Sequence, residues 1–198
     1  LILAGDNTYR HNGFIYNKSL YAPLTLSTLA ALVPEELNPE IQIIDEGVQR
    51  LDYSKQHWDV VGITCCASSA PRAYELACFF RARNALVVLG GSHPSLNPEE
   101  AAENGDCVVA GYAEESWPAL LRAHAAGETL QRIYHSPAPR ELPAVPPRRD
   151  LIPDSIYLTK NTVIASRGCA NRCDFCAIHT MWDRSPCVRP VAEVIDEL

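Results

Sequence analysis

The chain has 198 residues, of which 47% are apolar, 21% are charged and 8% are aromatic, so it can bury an ordinary core and is not a disordered chain. Its 17 basic residues against 24 acidic ones give a net charge of -7, which disfavours nucleic acid and anionic membrane surfaces as partners. No apolar run approaches the roughly 18 residues of a membrane span, and no export signal accompanies the eight cysteines, so we expect a cytoplasmic protein with reduced or metal-bound thiols.

Short apolar runs alternate with helix-length segments along the first two thirds of the chain. The strand candidates are 1–4, 41–45, 59–64, 85–89 and 107–110. The helix candidates are 24–37, 70–83 and 114–126, with a shorter helix that begins at Pro98. Strands that alternate with helices in this way predict an α/β fold, a flavodoxin-like doubly wound parallel sheet with both faces covered.

The composition changes after this sheet. Six prolines, at 137, 139, 143, 146, 147 and 153, predict an extended linker over 136–155. The first domain is therefore placed at 1–135 and a second unit at 156–198. In that unit we expect a strand over 157–166, a loop over 167–176 and a helix over 190–198. Since the chain opens directly on a strand without Met, we expect it to be a fragment.

Three cysteines in the second unit form a C-x3-C-x2-C run: Cys169, Cys173 and Cys176, called the motif cysteines below. Thiolates at this spacing suit one soft metal centre, and three of them on an iron-sulfur cubane leave one iron open. The alternative is a structural zinc site with His179 or Cys187 as its fourth ligand. The cysteines in apolar runs are expected to be buried core residues: Cys65, Cys66, Cys78 and Cys107.

The cysteine loop resembles that of the radical S-adenosylmethionine (SAM) enzymes, in which this motif follows the first strand of a β/α barrel. Here the loop runs from Arg167 to Cys176, and Phe175 supplies the aromatic residue found before the last cysteine of the family. The resemblance implies that the motif cysteines hold a 4Fe-4S cluster whose open iron chelates SAM, with Phe175 near the adenine. It also implies a small-molecule substrate and a reductase or flavodoxin-type electron donor.

In a doubly wound sheet a ligand lies beyond the carboxyl ends of the strands, where the strand order reverses. For the order 2-1-3-4-5 the loops expected to meet there are 5–13, 64–69 and 90–94. Thr64 and Ser68 offer hydroxyls, and the pair Gly90-Gly91 lets the backbone approach a ligand closely. The alternative, on the fold alone, is that the paired glycines form no more than a tight turn.

Together with the cysteine motif, this domain resembles the cobalamin-binding domain of cobalamin-dependent radical SAM enzymes. The likeness is carried by residues 21–26, 90–94 and 111–114. It implies cobalamin contacts from Thr64, Ser68, Gly90, Gly91, His93 and Gly111. The D-x-H-x-x-G signature is absent, because Asp6, His11 and Gly13 have the wrong spacing, so no axial histidine is expected from this loop. Tyr112 also stands where the family often has an acid.

The function implied by the resemblance is radical SAM chemistry with cobalamin, with methyl transfer to an unactivated carbon as its leading outcome. Ring formation or oxidative rearrangement is the alternative within the family, and a non-catalytic, zinc-stapled α/β interaction module is the alternative outside it. A phosphate-receiving signalling domain is disfavoured, since Thr64-Cys65 replaces the acid it needs. Too few residues follow Pro153 for a barrel, which needs about 200, so the fragment alone is expected not to cleave SAM. The apolar helix face of Val191, Val194, Ile195 and Leu198 should then be partly exposed.

Overall fold

The computed structural model describes residues 1–5, 19–49, 51–136, 139, 142, 145–154, 156–182 and 186–197. Within these ranges the strands are β1 Ile2–Leu3, β2 Ser19–Tyr21, β3 Ile44–Asp45, β4 Val60–Thr64, β5 Leu86–Gly90, β6 Cys107–Gly111, β7 Ile133–Ser136, β8 Tyr157–Thr159, β9 Ser166–Arg167 and β10 Cys187–Val188. The helices are α1 Leu24–Ala31, α2 Ala70–Arg81, α3 Ser92–Leu96, α4 Pro98–Asn104, α5 Ser116–Ala125, α6 Ile178–Met181 and α7 Val191–Asp196.

The central sheet has the predicted order and one more strand than expected. Its strands run β3-β1-β4-β5-β6-β7, and every neighbouring pair is parallel. The five strands foreseen from the sequence are all present, so the flavodoxin-like doubly wound fold is confirmed. β7 is an edge strand, and its side chains are half-buried or exposed. It therefore has no apolar run, and the sequence pattern did not predict it.

Alternating side chains of the central strands pack against helices on opposite faces. Val87 and Leu89 of β5 belong to the core that holds α2, whereas Val88 packs with the side chains of α5. Phe80 of α2 and Leu120 of α5 are fully buried, one in each layer. Burial on both faces explains why β4, β5 and β6 read as nearly continuous apolar runs.

Two helices differ from the sequence expectation. α1 ends at Ala31 instead of reaching 37, because Pro34 disfavours helical backbone at the residue before it and a separate 3-10 turn follows at Glu35–Leu37. The segment 92–96, expected as part of a loop, forms the short helix α3. Its backbone begins at Gly91, whose φ of +99° is accessible mainly to glycine.

The predicted strand over 157–166 is wrong in extent. β8 covers only Tyr157–Thr159 and pairs in parallel with β2, and the next strand is β9, which pairs antiparallel with β10. Thr159 ends the first piece, since its hydroxyl accepts a hydrogen bond from the backbone N–H of Asn161 at 3.1 Å and so forms a local turn. Tyr157 anchors this piece to the sheet by donating its hydroxyl to Asp45 Oδ2 at 2.9 Å.

The exposed face predicted on the last helix is confirmed for the residues that can be compared. Val191 and Ile195 are 74% and 62% exposed, Val194 is half-buried, and Leu198 lies outside the described residues. Among the other cysteines, Cys65 and Cys107 are buried as expected, but Cys66 and Cys78 are exposed, which corrects the expectation of core positions. No helix in the part of the chain that the structure describes is both long and apolar enough to cross a membrane.

Candidate functional site

A large cavity lies at the carboxyl edge of the sheet. Its volume is about 1020 Å³, and it is lined by the ends of β1, β4, β5 and β6 together with α1 and the segment around β9 and α6. It includes the point between β1 and β4 where the strand order reverses. The position agrees with the general rule for ligand sites in doubly wound sheets.

Four of the six residues expected to contact cobalamin line this cavity: Thr64, Gly90, Gly91 and Gly111. The other two have local partners elsewhere. Ser68 Oγ lies 3.2 Å from Cys66 Sγ, and His93 Nε2 lies 3.0 Å from the Tyr74 hydroxyl. The sequence could place these two side chains near the edge of the sheet, but it could not show which way they turn.

Gly91 is required by the protein's own packing. A Cβ added there would lie 2.5 Å from Thr64 Oγ1 and 2.7 Å from the Cys65 carbonyl oxygen. Real Cβ atoms do not approach backbone so closely, and the backbone at Gly91 is itself in a region that side chains rarely adopt. Glycine at 91 therefore lets the loop pack on β4. Because this packing already requires a glycine, its presence is not evidence that a ligand occupies the adjacent space.

Ser95 ties together the two glycine loops that border the cavity. Its hydroxyl donates to the Gly91 carbonyl at 2.7 Å and accepts from the Gly111 N–H at 2.9 Å. No sequence pattern indicates this role, since a serine within a short helix is ordinarily a surface residue. The loop after β5 and the loop after β6 are thus held in one arrangement.

The cavity continues as an apolar slot between α1 and the sheet. Leu29 and Leu32 form one wall, Val88 lies on the sheet side, and Trp117 closes the slot near Gly62. A Cβ at Gly62 would lie 2.9 Å from the end of the Leu1 side chain and 3.4 Å from the Trp117 ring. A lone glycine inside an apolar strand is a known sign of close approach by another group, and this signal was available in the sequence.

A half-buried ion pair holds the chain just after β1 at the rim of the cavity. Arg72 donates to both carboxylate oxygens of Glu46, at 2.7 and 3.0 Å, and the Gly5 N–H donates to Glu46 at 3.0 Å. Burial acts to raise the pKa of Glu46, but the hydrogen bonds from Arg72 and Gly5 outweigh it and bring this pKa below the ordinary value. The rest of the predicted first loop, with Asp6, His11 and Gly13, lies outside the described residues.

Cys66 is an exposed thiol on the cavity wall, next to the buried Cys65. Partial burial acts to raise the pKa of Cys66, but hydrogen bonds with the hydroxyls of Ser68 and Ser69 outweigh it and leave the pKa lowered. Burial raises the pKa of Cys65 to about 12. Two adjacent thiols therefore differ strongly in how readily they ionise.

The motif cysteines lie on the loop that follows β9, and Gly168 at its start lines the cavity. All three are free thiols, with Cys169 and Cys176 half-buried and Cys173 exposed. The donor chemistry suits a soft metal centre, but in the described ranges no three His, Cys, Asp or Glu side chains are close enough to hold a metal ion. His179 and Cys187 do not complete such a site there either. Phe175 is 93% exposed.

Glu114 and Arg167 form an ion pair that joins the sheet domain to the segment before Cys169. Arg167 Nη1 donates to Glu114 Oε1, and the two side chains are 20% and 8% exposed respectively. Both residues line the large cavity. The second oxygen, Glu114 Oε2, is buried and has no hydrogen-bond partner among the described residues.

Comparison with known proteins agrees with this geometry. A protein-family profile described as the B12 binding domain matches residues 18–121. The bacteriochlorophyllide d C-8(2)-methyltransferase of Chlorobaculum tepidum is 35% identical over 160 residues, which are 77% of this chain and 35% of that protein. The bacteriochlorophyllide d C-12(1)-methyltransferase of the same organism is 25% identical over 182 residues, which are 89% of this chain and 39% of that protein.

A solved structure shares the fold along almost the whole chain. It is the radical S-adenosylmethionine methyltransferase TsrM from Kitasatospora setae with cobalamin and a [4Fe-4S] cluster bound. The TM-score is 0.69 at 20% identity, and the match covers 99% of this chain and 45% of that one. The chain thus spans 35%, 39% and 45% of the length of these three proteins.

Proposed function

The chain belongs to the B12-binding domain family, and from this premise we propose that it holds cobalamin in the large cavity as part of a cobalamin-dependent radical SAM methyltransferase. The observation that carries the proposal is the cavity itself, which lies at the switch point of the sheet largely within the matched region. Its volume of about 1020 Å³ lies at the upper end of the range for small-molecule sites, roughly 300–1,000 Å³. A cofactor as large as cobalamin needs a site at that end of the range.

Different parts of the cavity suit different parts of the cofactor. The apolar slot beside Gly62 and Trp117 would take the flat, mostly apolar nucleotide base, since its walls offer few polar groups. Thr64 and the backbone at Gly90 would face the more polar part of the tail, as the sequence predicts. His11 and the rest of the first loop lie outside the described residues, so the absence of an axial histidine from that loop stays a prediction.

The motif cysteines extend the proposal to a 4Fe-4S cluster and SAM. Three thiolates at C-x3-C-x2-C spacing suit a cluster with one open iron, and the loop that carries them begins at the cavity wall. When bound, cluster and SAM would supply a 5′-deoxyadenosyl radical, and cobalamin would supply a methyl group. The methyl-transfer assignment draws on the names of the two bacteriochlorophyllide relatives. The small-molecule substrate and a reductase or flavodoxin-type donor remain part of the proposal.

The direct test is a titration of the purified chain with aquocobalamin, followed by the absorbance change of the corrin. We expect saturable one-to-one binding that is weakened more than tenfold by Gly62→Val, because the added side chain displaces the Leu1 and Trp117 side chains that line the slot. Gly127→Val is the control for strain without contact to the cavity: nothing lies within 4 Å of a Cβ at Gly127, but its φ of +71° makes the substitution strained, so normal binding by this variant shows that backbone strain alone does not weaken binding. Circular dichroism on each variant verifies that the fold is retained. Absence of binding to the unchanged chain, or equal binding by the Gly62 variant, would contradict the proposed site.

Metal analysis separates the enzyme from the interaction module. After anaerobic reconstitution, iron and sulfide at about four per chain would support the cluster. One zinc per chain with no iron would instead support the zinc-stapled module.

A further inference from the structure

Two segments that flank the motif cysteines form part of the wall of the large cavity. The upstream stem, 164–168, ends at Gly168 immediately before the first motif cysteine, and the downstream stem, 178–182, ends at Trp182. Residues of both stems line the cavity. The motif loop between them, 169–176, lies within the described ranges and contributes no residue to the lining. A group in the cavity would therefore touch the chain at the two ends of the motif loop.

Each stem is attached to the sheet domain by a contact of its own. In the upstream stem, Arg167 donates to Glu114, and both side chains are largely shielded from solvent. In the downstream stem, the Trp182 ring packs on the ring of the buried Tyr112, with 6.3 Å between the ring centroids and 45° between the ring planes. The two stems are thus held at the carboxyl edge of the sheet at separate points.

The motif loop itself has few contacts that could fix its position. Residues 170–175 are all exposed. The backbone N–H of Cys176 donates to the Cys173 carbonyl at 3.0 Å, which forms a turn inside the loop. In the part of the chain that the structure describes, no hydrogen bond joins the motif loop to the sheet domain. A segment with so few buried contacts opens easily, so its position depends on how firmly its stems are held.

We propose that an occupant of the large cavity restrains the motif loop through the two stems. This inference rests on the proposed function, because it takes cobalamin as the occupant. The stems form part of the cavity wall only while they lie against the sheet domain, so the cofactor contacts them only in that arrangement. A ligand that makes more contacts in one arrangement shifts the population toward it. Arg167 and Trp182 are then positioning residues, since they act on the motif loop.

The coupling must work in both directions. If bound cobalamin favours the restrained loop, a metal centre that restrains the loop raises the affinity for cobalamin by the same factor. Coupled sites typically change each other's affinity by roughly 5–150-fold. The reconstituted, iron-loaded chain should therefore bind cobalamin at least about fivefold more tightly than the iron-free chain.

The main test follows the alkylation of individual cysteines by iodoacetamide in the iron-free chain, with and without saturating cyanocobalamin. Mass spectrometry of peptides should show the half-buried Cys169 and Cys176 reacting at least about fivefold more slowly when the cofactor is bound. Cys173 should be slowed less, because it is exposed even in the restrained loop. Cys66 lies on the cavity wall, so its protection reports that the cavity is filled. Cys78 is exposed and does not line the cavity, so its rate should not change.

Trp182→Ala tests the role of the downstream stem, and Trp182→Phe is its matched control. Alanine removes the ring that lines the cavity and packs on Tyr112, whereas phenylalanine keeps an aromatic ring there. At cobalamin concentrations that saturate each variant, Trp182→Ala should reduce the slowing of Cys176 to less than about twofold, and Trp182→Phe should retain most of it. A general loss of structure would instead speed the alkylation of the buried Cys107 as well.

The outcomes separate this inference from the proposed function. Failure of the unchanged chain to bind cyanocobalamin, or binding that leaves Cys66 unprotected, overturns the proposed function and this inference with it. Protection of Cys66 with unchanged rates at Cys169 and Cys176 overturns the inference alone. Equal slowing of Cys173 overturns it too, because the cofactor would then cover the loop directly. Full slowing of Cys176 in Trp182→Ala overturns the positioning role of Trp182. The alkylation series on the unchanged chain needs neither iron nor a substitution.

Discussion

Replacement of Gly91 by alanine should destabilise the sheet domain far more than an ordinary glycine substitution. The backbone at Gly91 has φ +99° and ψ -168°, a combination that is essentially confined to glycine. An added Cβ would also lie 2.5 Å from Thr64 Oγ1 and 2.7 and 2.9 Å from the carbonyl oxygen and nitrogen of Cys65. Two of these three atoms are backbone at the end of β4, so they cannot move aside without disturbing the strand.

The magnitude follows from these two contributions. Glycine-only backbone costs about 1–3 kcal/mol when another residue is forced into it. Displacing packed atoms to relieve an overlap of this kind costs a further 1–3 kcal/mol or so. We therefore expect Gly91→Ala to lower the free energy of unfolding by about 3–5 kcal/mol, a large part of the 5–15 kcal/mol typical of a domain.

Gly127→Ala isolates the backbone contribution. Gly127 has φ +71°, but nothing lies within 4 Å of its added Cβ, so only the left-handed backbone cost of roughly 1–2 kcal/mol applies. Urea unfolding of both variants, followed by far-ultraviolet circular dichroism, measures the difference directly. Equal losses of stability would refute the packing argument. The result also decides how binding data on Gly91 variants are interpreted, because a destabilised loop loses ligand whether or not the side chain enters the ligand's space.

Four further predictions concern the chemistry of the site. Iodoacetamide at pH 7–8 should modify Cys66 at least about ten times faster than Cys65, since Cys66 is exposed with a lowered pKa and Cys65 is buried with a raised one; mass spectrometry of peptides would show comparable labelling if this is wrong. Alanine at any one of the motif cysteines should remove most of the iron and the brown colour of the reconstituted chain, and full retention of iron in all three variants would exclude them as ligands. The lowered pKa of Glu46 means that its carboxylate stabilises the fold above its unfolded pKa and ceases to do so as the pH falls through the folded one. Urea unfolding of Glu46→Gln should accordingly lose stability near pH 7 but fall less steeply below about pH 4.5 than the unchanged chain, and parallel pH profiles would count against the ion pair. His11→Ala should leave the absorption spectrum of bound cobalamin unchanged, whereas loss of a nitrogen-ligand signal in that variant would identify His11 as axial.

The central sheet could be predicted because burial on both faces imposes a simple composition. The strands β4, β5 and β6 are each five residues long and mostly apolar, which separates them from the amphipathic helices between them. β7 breaks that rule, since an edge strand pairs on one side only and needs no apolar run. The extent of β8 was also unpredictable, because a single hydroxyl at Thr159 ends it through a local turn.

The location of the site could be predicted from the sequence, but the orientation of its side chains could not. The carboxyl ends of parallel strands converge by geometry, so Thr64 and Gly90 could be placed at the cavity without any knowledge of side chains, whereas Gly111 was predicted from the family resemblance. Ser68 and His93 satisfy the same rule for position, yet neither lines the cavity, and each is hydrogen-bonded to a neighbour, Cys66 and Tyr74 respectively. Strand geometry fixes where a residue lies, whereas its orientation depends on partners that are distant in sequence.

The pair of Glu114 and Arg167 shows why long-range polar contacts escape sequence reasoning and why they matter at this site. The two residues are 53 positions apart in the sequence, and no sequence motif predicts that they pair. Buried ion pairs add little net stability, because desolvation offsets most of the attraction between the charges. What such a pair provides is orientation, since its charges are satisfied in only one arrangement of the segments that carry them. Here those segments are the loop after β6 and the strand that leads into the motif cysteines, and both line the same cavity. The ion pair therefore helps to hold the cysteine loop in one position relative to the carboxyl edge of the sheet. Any chemistry between a cofactor on the sheet and a centre on that loop would depend on the distance between them.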